Sequence, residues 1–331
     1  MNGAPDGTAQ FWSVEGHTVV CELCPHNCRI ADGRVGRCGV RANSGGRMAL
    51  PFYGSISSVA IDPIEKKPLY HYHPGSQILS VGFLGCNFHC PFCQNYAISQ
   101  STDRAAVRLT PEAVVDQALA ADSFAIAYTY NEPSIHFEFV SATAGLARGA
   151  SLKNVLVTNG HLSLLPATQL LDRMDAVNVD LKSWNKQFYR KELGGNRDAV
   201  LEFIRIASSR CHVEVTTLLI PGRNDSEDEI SNIAGFLASV DRTMPLHISA
   251  YYPTYRYTTE RTTPRDVQRA VEIASRTLDY VYPGNVAGEA NTSCPSCGNL
   301  LIERRAYHVT TPGLNGSKCA SCGLKLPIVT A

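Results

Sequence analysis

The sequence predicts an α/β fold: a partial (β/α)6 TIM-like barrel with small cysteine-rich, metal-binding appendages at its two ends. Three observations lead there. Six apolar, β-branched runs recur at residues 78–84, 124–130, 154–157, 176–181, 212–220 and 245–251. Segments of helical periodicity separate them, and strands alternating with helices build a parallel sheet. Six such units over about 200 residues fall short of the ~250 that a closed eight-fold barrel needs, so one side stays open.

Residues 1–50 are rich in Cys, Gly and Arg and hold Cys21, Cys24, Cys28 and Cys38. Residues 51–77 mix charge, proline and aromatics from Asp62 to His71, which reads as a lid or substrate-facing segment rather than a core strand. Residues 78–285 carry the barrel. Its helices have start signals: Thr110 before Pro111, Ser226 after Asn224 and Asp225, and Thr263 before Pro264 ahead of the periodic stretch 267–278. Residues 286–331 form the second cysteine-rich appendage, with Cys294, Cys297, Cys319 and Cys322.

The most informative stretch leaves the first run. Cys86, Cys90 and Cys93, spaced C-x3-C-x2-C, put three thiolates on one tight loop, with Phe92 just before the last. Three is one short of full ligation of a [4Fe–4S] cubane. One iron then keeps an open position, as catalytic metal sites do. A zinc half-site or a redox loop is the competing reading. In a parallel barrel, ligands sit at the carboxyl ends of the strands. The residues there are Asn131 and Glu132 before Pro133, Thr158 and Asn159, and the alternate pair Asp180 and Lys182, which share one face. Glu132 can equally cap the next helix, and Asp180 with Lys182 can be a solvated ion pair. Tyr251 and Tyr252 leave the sixth run, to cover a ligand or only to pack the barrel.

The two C-x2-C pairs at Cys294/Cys297 and Cys319/Cys322 match a tetrahedral structural zinc or a rubredoxin-like iron, with zinc preferred. The N-terminal four, with His26 beside them, fit either zinc or an auxiliary iron–sulfur cluster; spacing does not decide between them, and a structural zinc is slightly preferred. Cys211 stands alone ahead of a strand-like run and is read as a small buried hydrophobe.

Thirty basic and thirty acidic residues cancel, so no global field draws in nucleic acid or an anionic membrane. The first ten residues show no signal-peptide pattern, and no run approaches eighteen apolar residues. Grouped cysteines without a secretion signal point to metal rather than disulfides, and to the cytoplasm.

With these elements together, the chain resembles the AmmeMemoRadiSam system radical SAM enzymes, relatives of the pyruvate formate-lyase activating enzymes. The resemblance rests on Cys24-Pro25-His26-Asn27-Cys28, the segment from Asp62 to Leu69, Gly85 through Cys93 to Asn95, Tyr128 to Pro133, Val179 to Lys182, and the closing cysteine pairs. It implies that Cys86, Cys90 and Cys93 hold a [4Fe–4S] cluster whose free iron chelates S-adenosylmethionine (SAM). It further implies that reductive cleavage gives a 5′-deoxyadenosyl radical that abstracts hydrogen from a substrate. Phe92, Asn131, Glu132, Thr158, Asn159, Asp180 and Lys182 become the implied SAM contacts. Asn131 stands where the family's Gly-Gly-Glu-Pro element has its second glycine, which weakens the backbone part of that contact. A one-electron reductant of flavodoxin or ferredoxin type is implied as partner. The substrate branch stays open between activating a glycyl-radical protein and a small-molecule reaction, such as decarboxylation or epimerisation of a sugar or nucleoside. A non-enzymatic zinc-binding scaffold is the reading from another class.

Overall fold

A computed structural model describes residues 7–330. Its core is an eight-stranded sheet. At one edge β1 (Ser58–Pro63) runs antiparallel to β2 (Gln77–Gly82). From β2 onward every pairing is parallel and follows chain order. The strands are β3 (Ala125–Thr129), β4 (Lys153–Thr158), β5 (Ala176–Asp180), β6 (His212–Leu219), β7 (Leu246–Ala250) and β8 (Val281–Gly284). Helices α1 (Pro111–Ala120), α2 (Phe137–Gly149), α3 (Leu164–Leu171), α4 (Arg197–Ser208), α5 (Glu227–Val240) and α6 (Pro264–Ala274) fill the successive crossovers. The six expected βα units are all present. The sheet stays open, with β1 and β8 at its edges.

The interior strands read as unbroken apolar runs because a parallel sheet flanked by helices buries both faces. All five residues of β3 and of β7 are buried. β1 differs: Val59 and Ile61 point to solvent while Asp62 is buried. So part of the segment expected as a lid joins the sheet, while its Lys66 and Pro68 reach a cavity at the strand ends.

Helix starts follow the predicted caps. Thr110 accepts the Ala113 N–H at 3.2 Å, with Pro111 at the first helical position. Ser226 accepts from Glu229 N. Thr263 and Asp266 form a reciprocal capping box. That last helix starts and ends earlier than the periodic stretch 267–278, closing at Ala274.

The N-terminal segment builds a small antiparallel sheet (Trp12–Glu15, Thr18–Cys21, Arg29–Ile30). It is tied to α2 by a buried ion pair, in which Arg41 Nη1 donates to both Glu138 oxygens at 2.9 Å. The C-terminal appendage folds around Leu301, Ile302, Leu326 and Ile328. It docks on residues 70–73 through Arg304, whose Nη2 donates to Tyr70 O at 2.7 Å, and through backbone bonds of Val329 with His71 and His73. No helix among the described residues is long and apolar enough to cross a membrane.

Candidate active site

The strand ends converge on one cavity of about 310 Å³. Cys86, Cys90 and Cys93 line it, with Phe92, Asn131, Glu132, Asn159, Asp180 and Lys182. Of the residues that the resemblance implies as SAM contacts, Thr158 alone does not reach it: it is buried and donates to Glu132 Oε1 at 2.7 Å. Its part is to position that carboxylate.

The cysteine loop is held from below. Asn131 Oδ1 accepts from Phe83 N at 3.0 Å, and its Nδ2 donates to Gly85 O at 2.7 Å. An asparagine in place of a glycine thus uses its amide to fasten the backbone leading into Cys86. Asn159 donates to Asn87 Oδ1 at 2.8 Å and approaches Cys86 Sγ at 3.8 Å. Phe88 N donates to Cys86 Sγ at 3.3 Å, and Cys93 Sγ lies 3.1 Å from Ser99 Oγ. Burial pushes the Cys90 thiol up to about 12, and burial with the nearby Glu132 carboxyl pushes Cys86 well above the usual thiol range. A thiolate there needs a cation, and metal coordination deprotonates a thiol outright. Cys86, Cys90 and Cys93 are the cysteines that line the cavity, three donors for a four-iron cubane. These residues fit the cluster.

Glu132 is 1% exposed and accepts from Ser134 N (3.1 Å), Thr158 Oγ1 and Asn159 N (2.7 Å). It therefore caps the short helix at Pro133–His136 as well as lining the cavity. Burial raises its pKa. Lys182 Nζ sits 2.9 Å from Asp180 Oδ2. Burial disfavours the ammonium, but Asp180 and Cys90 outweigh it and hold its pKa above the ordinary value. A fixed cation beside the cysteine loop suits a ligand carboxylate. Phe92 is buried between Phe188 and Tyr257.

Sequence reasoning missed Tyr130, Asn95, Thr216, Ser249 and Asn285, which also line the cavity. Asn95 and Tyr130 fall inside segments that carry the resemblance but were given no role there, and Asn285 follows an edge strand that Pro283 and Gly284 disguise as loop. Tyr130 adopts φ +71°, a strained conformation for a bulky residue. Its hydroxyl donates to Asp62 Oδ2 at 2.6 Å, and Lys67 lies 2.7 Å from the same oxygen and 4.5 Å from the Tyr130 ring centre. Those donors hold the Asp62 carboxylate well below its usual range despite burial. Tyr251 and Tyr252 do not line the cavity: Tyr251 is buried, with its hydroxyl on Tyr257 O, and Tyr252 bonds Asn285 O. Cys211 sits apart, its thiol 3.7 Å from Ala207 O.

At the C-terminus all four sulfurs of Cys294, Cys297, Cys319 and Cys322 gather within 4.8 Å. Backbone N–H groups of Cys322 and Ser321 lower the Cys319 thiol toward the thiolate that a metal ligand needs.

Residues 81–237 match the family model of the radical SAM superfamily. The chain is 39% identical over 332 residues to an uncharacterized protein of Methanocaldococcus jannaschii, covering 97% of this chain and 99% of that one. It is 21% identical over 188 residues to the pyruvate formate-lyase 1-activating enzyme of Escherichia coli, covering 54% of this chain and 75% of the enzyme. A solved structure, a radical SAM methyltransferase from Sphaerobacter thermophilus, superposes with a TM-score of 0.50 at 19% identity, over 64% of this chain and 67% of that one; this likeness speaks for the fold alone. The chain belongs to the radical SAM superfamily, and is an enzyme of that class.

Proposed function

We propose that Cys86, Cys90 and Cys93 hold a [4Fe–4S] cluster with one open iron, and that the cavity above it binds SAM. When bound, the pair supplies a 5′-deoxyadenosyl radical that abstracts hydrogen from the substrate. One observation carries the reading: a single cavity gathers the three cysteines, the Glu132 carboxyl and the Asp180–Lys182 pair at the strand ends. Lys182 is the cation for the methionine carboxylate, and Glu132 offers an acceptor to the amino group. Asn131 and Asn159 fix the loop, while Phe92 adds an apolar wall. At about 310 Å³ the cavity is near the lower bound of ligand sites. Substrate then enters from the open side of the sheet, past Lys66 and Tyr130. That opening admits a small molecule or a protein loop, and a one-electron reductant of flavodoxin or ferredoxin type completes the cycle. The N- and C-terminal cysteine groups are assigned separate, non-catalytic metals.

The test is anaerobic reconstitution, then dithionite and SAM with 5′-deoxyadenosine as readout. Product from the wild-type chain and none from the Cys86→Ala/Cys90→Ala/Cys93→Ala variant supports the reading. Equal product from both overturns it.

A further inference from the structure

The SAM contacts of the proposed function use only part of the sheet. The cysteine loop, Glu132, Asn159 and the Asp180–Lys182 pair lie on or just after β2 to β5. The same cavity is also lined by Thr216 and Leu218 of β6, Ser249 of β7, Asn285 after β8, and Lys66 and Pro68 from between β1 and β2. These six have no part in holding SAM. Their open hydrogen-bonding positions are mostly those of acceptors. Thr216 Oγ1 donates to Asn178 Oδ1 at 2.9 Å, which leaves its lone pairs to the cavity. Asn285 spends its Nδ2 on Ala250 O at 3.3 Å, which leaves Oδ1. A Cβ on Gly284 would lie 2.4 Å from Ser249 Oγ, so glycine keeps that hydroxyl uncovered. Acceptors call for a ligand that brings hydroxyl groups.

The rim of the cavity carries a surplus positive charge. Lys66 Nζ lies 3.1 Å from Asp62 Oδ1, and its side chain is 43% exposed. Asp62 is already matched by the buried Lys67, 2.7 Å from Oδ2, and by the Tyr130 hydroxyl. Two ammoniums thus share one carboxylate, whereas Lys182 is matched by Asp180. Lys66 is the cation left for a ligand. The C-terminal appendage limits the size of that ligand, because it touches both edges of the open sheet. On the β8 edge, Thr292 Oγ1 lies 2.8 Å from the Tyr282 hydroxyl. Arg304 Nη1 donates to the same Thr292 oxygen at 2.8 Å, and its guanidinium lies 4.2 Å from the Tyr70 ring centre. On the β1 side, the Tyr307 ring centre lies 5.4 Å from Lys66 Nζ. Between the edges, the buried His71 and Tyr282 hydrogen-bond at 2.6 Å. The opening is filled there. A small molecule passes the rim that remains, while a polypeptide loop laid across that side meets the appendage.

We infer that the substrate is a small hydroxylated anion, a sugar phosphate or a sugar acid, bound between Lys66 and the polar side chains of β6 to β8. Its anionic end lies against Lys66. Its hydroxyls donate to Thr216 Oγ1 and Asn285 Oδ1, with Ser249 as donor or acceptor, and Leu218 and Pro68 pack on its carbons. That placement rests on the catalytic reading, in which SAM occupies the cysteine end of the cavity and leaves this end to a second ligand. Of the two substrate branches, it selects the small molecule.

The test is anaerobic titration calorimetry on the reconstituted full-length chain, with SAM bound and no reductant. The anionic probes are D-glucose-6-phosphate, D-ribose-5-phosphate and D-gluconate. Their neutral counterparts are D-glucose, D-ribose and sorbitol, beside inorganic phosphate and a short glycine-centred peptide. At least one anionic sugar should bind ~10-fold or more tighter than its neutral counterpart, and tighter than inorganic phosphate. Preference for the phosphorylated probes identifies a sugar phosphate, and preference for gluconate a sugar acid. Lys66→Met should abolish the preference and Lys66→Arg retain it, while Ser249→Val should weaken the sugars and not inorganic phosphate. No anionic sugar outbinding its counterpart overturns the inference, as does a preference that survives Lys66→Met, or binding of the peptide alone. The wild-type ratio decides the matter even if a variant does not fold. Wild type that takes up SAM without that preference sinks this inference alone; wild type that takes up no SAM sinks the catalytic reading.

Discussion

Glu132→Gln separates two roles that the structure gives to one carboxyl. A carboxylate offers about four lone-pair positions. Ser134 N and Thr158 Oγ1 fill those of Oε1, and Asn159 N fills one on Oε2. One position remains for a ligand ammonium in the cavity that Glu132 lines. Glutamine keeps an oxygen for the first two donors but turns its NH2 toward Asn159 N–H. One buried donor left unpaired costs about 1–3 kcal/mol of stability. A ligand ammonium that loses a charged acceptor loses about 1.5–3 kcal/mol, roughly a 10- to 150-fold rise in Kd. Glu132→Ala is the poorer probe. It strands all three donors, about 3–9 kcal/mol, which rivals the whole stability of a domain. The assay is anaerobic titration calorimetry with SAM on reconstituted protein, alongside iron content and denaturant unfolding. A Gln variant with wild-type iron and unchanged SAM affinity would refute the ligand role and leave Glu132 as a cap only.

Three further outcomes are expected. Lys182→Ala should raise the Kd for SAM at least ~10-fold with iron content unchanged; its loss costs little stability because Asp180 is 37% exposed and can hydrate, and an unaltered Kd would contradict the carboxylate contact. Cys297→Ser should release about one zinc per chain and open residues 286–330 to protease, loosening residues 70–73 that Arg304 and Val329 hold; a zinc-free chain with wild-type protease resistance would count against a structural metal. Stability should fall with acid. Burial holds His71 and His136 down at about 3 and about 4, whereas in the unfolded chain they titrate near ~6.5. Between those values only the unfolded chain binds the protons, so stability rises with pH there, by about 2 kcal/mol per histidine between pH ~5 and ~6.5. Glu214, buried between His212 and His247 and depressed well below its usual value, adds stability above ~4.3 that is lost as pH drops through its folded pKa. A denaturation midpoint unchanged between pH 7 and pH 5 would contradict the histidine part.

The six interior strands were legible because each is buried on both faces, which writes a continuous β-branched run. The two edges were not. β1 alternates exposed Val59 and Ile61 with smaller residues and ends in Asp62-Pro63, and the four-residue β8 contains Pro283 and Gly284, both signals of loops. The candidate site was legible as chemistry: spacing singled out the three cysteines, and the strand-end rule supplied Glu132, Asp180 and Lys182. Its support was not. That Asn131 fastens the loop, that Thr158 stands behind Glu132, and that Tyr130 joins Asp62 and Lys67 depend on contacts between distant residues. No local pattern encodes them. The same holds for His161, which the fold brings beside Cys24 and His26 from 137 positions beyond Cys24 in the chain.

The most direct test uses SAM isotopically labelled at its amino nitrogen and carboxylate oxygens, bound to the reduced, reconstituted protein and read by electron–nuclear double resonance. Magnetic coupling of both labels to the cluster held by Cys86, Cys90 and Cys93 is the predicted result. A fully loaded cluster that shows coupling to neither label would contradict the account.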